Sequence, residues 1–276
     1  MTKKSAEIAE NNVSIASEFE FDASLLSEEF NAVRVPRLPY AIVINDNPCG
    51  IFIPEKNAIK AGWNNLEDMT EIDLASGTKE KGWFLQNVRM AVLGNVPPYI
   101  RYKSSDDNGD LKSTVVGSYE FDRHLLDKKT MEVCSEHLVM FVDKSNNLLH
   151  NRPLRIRFKN VALWSLRDAI EEFYVAMELC FAKLTNTQAS GKTDKWRSLC
   201  VFAAEFKPVK EGEGSNKSWC MKVGNYSVPS IENFGSLFLG VQHQKDAIWE
   251  CYDMNIGSLE AKALPGSDQK MLRSAE

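Results

Sequence analysis

The stretch Pro153-Leu154-Arg155-Ile156-Arg157-Phe158-Lys159, PLRIRFK, alternates apolar and cationic residues without a break. Successive side chains of an extended strand point to opposite faces. Leu154, Ile156 and Phe158 are therefore expected on one face, and Arg155, Arg157 and Lys159 on the other. The period of two makes this segment β, and its neighbours follow from it.

Downstream, Leu166, Ile170, Phe173, Met177 and Phe181 recur at steps of three or four, which predicts a helix over 166–184. Ser165 is the expected N-cap, with Asp168 completing a capping box. A polar loop over 185–195 leads to an apolar run, 196–206, read as a strand. The loop KEGEGSNK (210–217) separates it from a second strand over 219–223. Residues 230–252 read as helical, weakened by Gly235 and Gly240.

Upstream, HLVMFVD (137–143) and residues 114–121 are strand-like, as are 99–103 and WFLQNVRMAVL (83–93). Residues 40–44 and 50–53, joined by Asn45-Asp46-Asn47-Pro48-Cys49, predict a hairpin, and 55–63 a short helix ended by Gly62 or just after it. Asp106-Asp107-Asn108-Gly109-Asp110 is a turn signal.

From residue 114 the order is strand, strand, strand, long helix, strand, strand. That is the element order of an oligonucleotide/oligosaccharide-binding (OB) barrel. The expected fold is α+β and mainly antiparallel: an OB-like barrel with a long helix between strands 3 and 4, plus an N-terminal β extension. One β-rich domain is expected over 33–256, with sub-units 33–105 and 112–256. It is flanked by an acidic arm (1–32) and a tail (257–276).

The 276 residues carry a net charge of −5. Seven acids and two bases lie in residues 1–32. Removing these from the totals of 38 and 33 leaves 31 of each, so the body is balanced and can still carry a basic groove. The arm, with Phe19, Phe21 and Phe30 among its acids, is read either as a solvated tail or as a docking peptide for a protein partner or for the protein's own basic groove. No run of 18 apolar residues and no secretory h-region occur, so neither a membrane span nor export is expected. Six dispersed cysteines without a CxxC pair predict reduced, buried thiols in a cytoplasmic protein and no zinc site.

Catalytic motifs fail on inspection. Gly191-Lys192-Thr193 ends like a phosphate loop, but position 186 is Asn and a helix precedes it where a strand is needed. Ser104–Asp110 starts like a calcium loop, but Val115 stands where the closing Glu belongs. Asp194, Glu205 and Lys207 echo a metal-dependent nuclease, yet ten residues of one extended run separate the carboxylates. The four histidines show no ligand spacing. No cofactor is expected.

What remains is a basic, aromatic surface. Asn151–Arg167 holds Arg152, Arg155, Arg157, Lys159 and Arg167 with no acid, and Trp164 follows the strand. Tyr99, Arg101, Tyr102 and Lys103 interleave rings and cations. Single-stranded nucleic acid binding needs cations for phosphates and rings for bases. Arg155, Arg157, Lys159, Arg152, Arg101 and Lys103 are the expected phosphate contacts, with Tyr99, Tyr102 and Trp164 the stacking candidates. The competing account is a half-buried strand with cations on its wet face.

The phrases PYAIVINDNPCGIFIP (39–54) and LLHNRPLRIRFKNVA (148–162) resemble an uncharacterised domain family seen in cyanobacterial and plasmid-borne proteins, over residues 35–250. That resemblance implies a mobile-element or genome-maintenance setting and no site residue. The expected function is non-catalytic single-stranded nucleic-acid binding in DNA replication, recombination or mobile-element maintenance. The alternatives are an assembly subunit, including a homo-oligomer, and a metal-dependent nuclease.

Overall fold

A computed structural model describes residues 38–64, 69–74, 77–103, 114–212, 214, 217–241 and 243–256. Contacts divide the chain into Met1–Arg37 and Leu38–Glu276; every element below belongs to the second unit. The acidic arm, the turn at 106–110 with its calcium-loop comparison, and the tail lie outside the described residues.

The strands are β1 (Tyr40–Ile44), β2 (Gly50–Pro54), β3 (Thr70–Asp73), β4 (Lys79–Leu85), β5 (Asn87–Asn95), β6 (Tyr99–Tyr102), β7 (Val115–Ser118), β8 (Met131–Phe141), β9 (Leu154–Lys159), β10 (Val201–Glu211) and β11 (Ser218–Tyr226). The helices are α1 (Glu55–Ala61), α2 (Tyr119–Asp122), α3 (Asn160–Thr185), α4 (Asp194–Arg197) and α5 (Gln244–Asn255). The protein is thus mixed α/β, as the patterns predict. Among the described residues the strands form one sheet in the order β11-β10-β5-β8-β9-β1-β2-β4-β3. β6 pairs with β7 and with β8. Among the described residues only β1 against β9 is parallel.

β9 alternates as its residues demand: Leu154, Ile156 and Phe158 are buried while Arg155, Arg157 and Lys159 are half-exposed. The chain passes from β9 into α3 without a loop. Asn160 makes that turn with φ 44°, a left-handed conformation Asn tolerates better than most residues. Its Oδ1 accepts from the Val133 amide at 3.2 Å. The helix therefore starts five residues before the predicted cap. Ser165 is helical, and its hydroxyl accepts from the Val223 amide of β11 at 3.0 Å. Asn186, φ 52°, closes the helix by returning its amide to the last turn.

Other boundaries move for local reasons. The 83–93 block is two strands broken at Gln86: β4 pairs with β2, whereas β5 pairs with β8 and β10. Pro97-Pro98 separates β5 from β6, and both lie on β8, whose pairing begins at Met131 rather than at His137. The 196–206 run is not one strand. Asp194–Arg197 form a helical turn capped by the Thr193 hydroxyl, and β10 begins at Val201. Residues 230–243 hold two 3-10 turns (Phe234–Ser236, Leu239–Val241) before α5.

Among the described residues β11 pairs only with β10, yet two amides of its other edge are taken by side chains. The Met221 amide donates to Asn45 Oδ1 at 2.9 Å, beside the Ser165 bond to Val223. The β1–β2 turn and α3 thereby meet β11, and the sheet curls round the helix. Leu163, Leu166, Ile170, Phe173 and Met177 of α3 are buried in this core with Phe158, Phe202 and Phe206. β10 pairs with β5, and among the described residues β7 pairs with β6 alone.

Candidate nucleic-acid interface

The polar side chains of β9 meet β8 across the ladder. Arg157 is the register partner of Glu136, with Arg155 two pairs further on, opposite Leu138. Arg157 Nε donates to Glu136 Oε1 at 3.1 Å, and Arg155 Nη1 reaches Glu136 Oε2 at 3.4 Å. Tyr99 donates its hydroxyl to the same carboxylate at 3.2 Å. Lys159 Nζ and Arg101 Nε lie 3.0 and 3.2 Å from Glu132 Oε1. That oxygen has no aligned hydrogen bond, so it is held by charge rather than by directed donors. Both glutamates are buried. Burial alone would lower the Arg157 pKa, but the Glu136 hydrogen bonds and charge more than offset it and hold the guanidinium above its usual value. Burial also pushes Tyr99 up, and pushes the neighbouring Cys134 thiol up to about 12.

Four of the predicted phosphate contacts are therefore engaged internally. Arg101, 3% exposed, and Tyr99, 5% exposed, are closed to a ligand. Lys103 donates to the Lys128 and Lys129 carbonyls at 2.8 and 2.7 Å. Tyr102, half-buried, ends β6. Arg152 is exposed after the His150 turn, where its carbonyl is 2.8 Å from His150 Nδ1. The physical reason is plain: a wet-face cation row forms a free track only if its neighbouring strands supply no carboxylate, and β8 supplies two.

The structure brings a different set together at the start of α3. The Trp164 and Tyr119 rings lie 5.0 Å apart at 51°. Arg167, one helical turn after Trp164, stacks 5.7 Å from the indole, and Arg123 lies 5.3 Å from the Tyr119 ring. α2 presents Tyr119 because its first turn is capped from both sides: Ser118 Oγ accepts from the Glu120 amide and Asp122 Oδ2 from the Ser118 amide. The Tyr119 amide is anchored on the Pro98 carbonyl at 3.0 Å. Both arginines are exposed, and among the described residues neither lies in a carboxylate pair. Trp164 belonged to the predicted set and Arg167 to the same acid-free run. Tyr119 and Arg123 are concealed because a strand over 114–121 ends at Phe121 and splits them; on a helical turn their spacing of four puts them on one side.

Beside this cluster is a cavity of about 210 Å³ between α3, the end of β5 and β8. Arg167 sits at both sites. His137 and Ser135 line the cavity from β8, Tyr174 from α3 and Asp194 from α4. Burial lowers His137 to about 4. His150, also held near 4 by burial, is a core residue: its Nε2 accepts from the Phe141 amide at 2.8 Å and its ring stacks on Trp63 at 5.1 Å.

The nuclease trio does not assemble as the motif requires. Asp194 faces the cavity on its own helical turn, while Lys207 pairs with Glu205 on β10 at 3.5 Å. Among the described residues no three His, Cys, Asp or Glu side chains gather as a metal site. The six cysteines are free thiols, five of them buried. Among the described residues no helix is long and apolar enough to cross a membrane.

A family described as a domain of unknown function, DUF5895, matches residues 35–271. Both phrases that resemble an uncharacterised family lie inside that range. The chain is 23% identical to "Uncharacterized protein 254L" of Invertebrate iridescent virus 6 over 172 residues, 60% of this chain and 50% of that protein. It thus spans about half the length of that relative. No solved structure matches.

Proposed function

The chain belongs to the DUF5895 family, and from its geometry we propose that it is a non-catalytic protein binding single-stranded nucleic acid through Trp164, Tyr119, Arg123 and Arg167. The observation that carries this reading is the contrast between two sets of cations. Those of β9 are spent on Glu132 and Glu136, whereas Arg123 and Arg167 lie on paired rings with no carboxylate partner among the described residues. Rings for bases beside cations for phosphates are what sequence-tolerant strand binding requires. The strand, strand, strand, helix, strand, strand order shared with OB barrels supports the same class of ligand. A role in replication, recombination or mobile-element maintenance follows from that class.

Fluorescence anisotropy with labelled oligo-dT tests the proposal. Wild type binds at low salt, and the double variant Arg123→Ala/Arg167→Ala loses at least tenfold in affinity. An unchanged affinity in that variant, or no binding by wild type, overturns it.

The second reading is an assembly subunit. It is favoured by Val175 and Leu179, an i, i+4 aliphatic pair exposed on α3 at 52% and 48%. Light scattering separates the two. A stable oligomer indifferent to oligonucleotide, and disrupted by Leu179→Lys, supports assembly.

A further inference from the structure

We infer that the exposed stripe of α3 pairs with the same stripe of a second copy of this chain, antiparallel, about a two-fold axis level with Met177. This rests on the assembly reading for the use of the face, and names the partner which that reading leaves open.

The stripe follows from the helical period. Asp168, Glu172, Val175, Leu179 and Lys183 recur at steps of three or four and are all exposed, so they lie along one side of α3. Leu163, Leu166, Ile170, Phe173 and Met177 turn the other side into the core. Val175 and Leu179 thus stand at the middle of a row that is otherwise charged. Acids hold its N-terminal half and Lys183 its C-terminal end. Lys183 makes no ion pair among the described residues. Glu172 is held in place by the Tyr226 hydroxyl, which donates to its Oε2 at 3.0 Å. A carboxylate so held keeps lone pairs for a cation.

Reversed, this row is its own complement. A two-fold contact sets each residue against the one equally far beyond the axis. With the axis level with Met177, Val175 meets Leu179 of the second copy, and Leu179 meets Val175 of the second copy. The midpoint of Glu172 and Lys183 lies half a residue from the same level, roughly 0.8 Å along the helix. At 3.6 residues per turn these two side chains are also only about 20° apart around the axis of α3, on one flank of the stripe. A two-fold brings like flanks together, so Glu172 meets Lys183 of the second copy at both ends. One axis therefore closes two apolar contacts and two ion pairs. Parallel pairing would set Glu172 against Glu172 and Asp168 against Asp168, so charge selects the antiparallel arrangement. The second helix ends at Thr185 and, reversed, reaches back to about position 169, short of Trp164 and Arg167.

The test is light scattering on the full chain at low salt. Wild type gives twice the chain mass. Leu179→Lys loses the dimer, because it sets an unpaired ammonium in the apolar contact. Glu172→Lys and Lys183→Glu each lower the mass toward one chain, since each puts like charges together at both ends. Mixed one to one, these two variants restore opposite charges at both contacts and regain the dimer. The mixture carries the same two substitutions, so a folding defect cannot account for its recovery. A dimer lost in Leu179→Lys but not regained by the mixture overturns the antiparallel pairing and leaves the assembly reading standing. A dimer untouched by all three variants overturns the α3 face as its seat. A single-chain mass in wild type overturns the second copy as the partner and removes the support for the assembly reading.

Discussion

Glu136 on β8 and Arg157 on β9 are register partners, and the arginine Nε donates to the Glu136 Oε1 at 3.1 Å from a carboxylate that is almost wholly buried. Arg155 and Tyr99 reach the same group. Removing one partner of such a network leaves the others desolvated and unpaired. Glu136→Ala is expected to cost roughly 2–4 kcal/mol. That is below the ~3–5 of a fully enclosed pair, because Arg157 keeps about a third of its side chain in water. Urea unfolding measures it. A cost under about 1 kcal/mol would show that the network is ornamental. On the same grounds Arg155→Ala and Arg157→Ala lower stability while leaving oligonucleotide affinity unchanged.

Much of this arrangement was legible in the sequence. PLRIRFK alternates in the structure as its residues alternate, and the 3.6-residue period of α3 placed Leu166, Ile170, Phe173 and Met177 in the core. The hairpin over 40–53 and the end of the short helix at Gly62 also stand where turn chemistry put them. What was not legible is pairing. Glu132 and Glu136 lay upstream of the apolar run that defined β8, and no local pattern tells which strand faces β9. The start of α3 was hidden because Asn160 makes the strand-to-helix turn in one residue. Ser165, a good cap by type, was recruited by β11 from across the fold, a contact 58 residues away in sequence.

That recruitment has its own consequence. The Met221 and Val223 amides of β11 are taken by Asn45 and Ser165 side chains. Asn45→Ala and Ser165→Ala are each expected to cost about 1 kcal/mol. Amide hydrogen exchange should accelerate at Met221 in the first variant and at Val223 in the second. In the double variant the bared edge is open to pairing with a second chain, so sedimentation should turn concentration-dependent. Unaltered exchange at both amides would show that these bonds do not close the edge.

Two buried histidines set an acid limit. Burial holds His137 and His150 near 4, against ~6.5 for an exposed imidazole. As pH falls below ~6.5 the unfolded chain takes up protons that the folded chain refuses. The stability these residues contribute is complete above ~6.5 and is lost as pH falls toward 4. Each adds a slope of roughly 1.4 kcal/mol per pH unit in that window. Urea midpoints at pH 7, 6 and 5 should decline accordingly, well before the carboxylates titrate. A flat profile across that range would mean that the imidazoles charge freely in the fold.

The ring cluster makes a quantitative demand on salt dependence. If Arg123 and Arg167 each neutralise one phosphate, each contributes about 0.7 to the slope of log K against log salt on a single strand. Arg123→Ala/Arg167→Ala should therefore flatten that slope by about 1.4 as well as weaken binding. Trp164→Leu should weaken binding by about 1–3 kcal/mol, the worth of one stacked base, with the slope unchanged. The two variants thus separate charge from stacking at one site. Arg157→Ala serves as the control, since its charge is already neutralised by Glu136 in the free protein. A slope that falls with Arg157→Ala and not with the Arg123/Arg167 pair would return the strand to the β9 face.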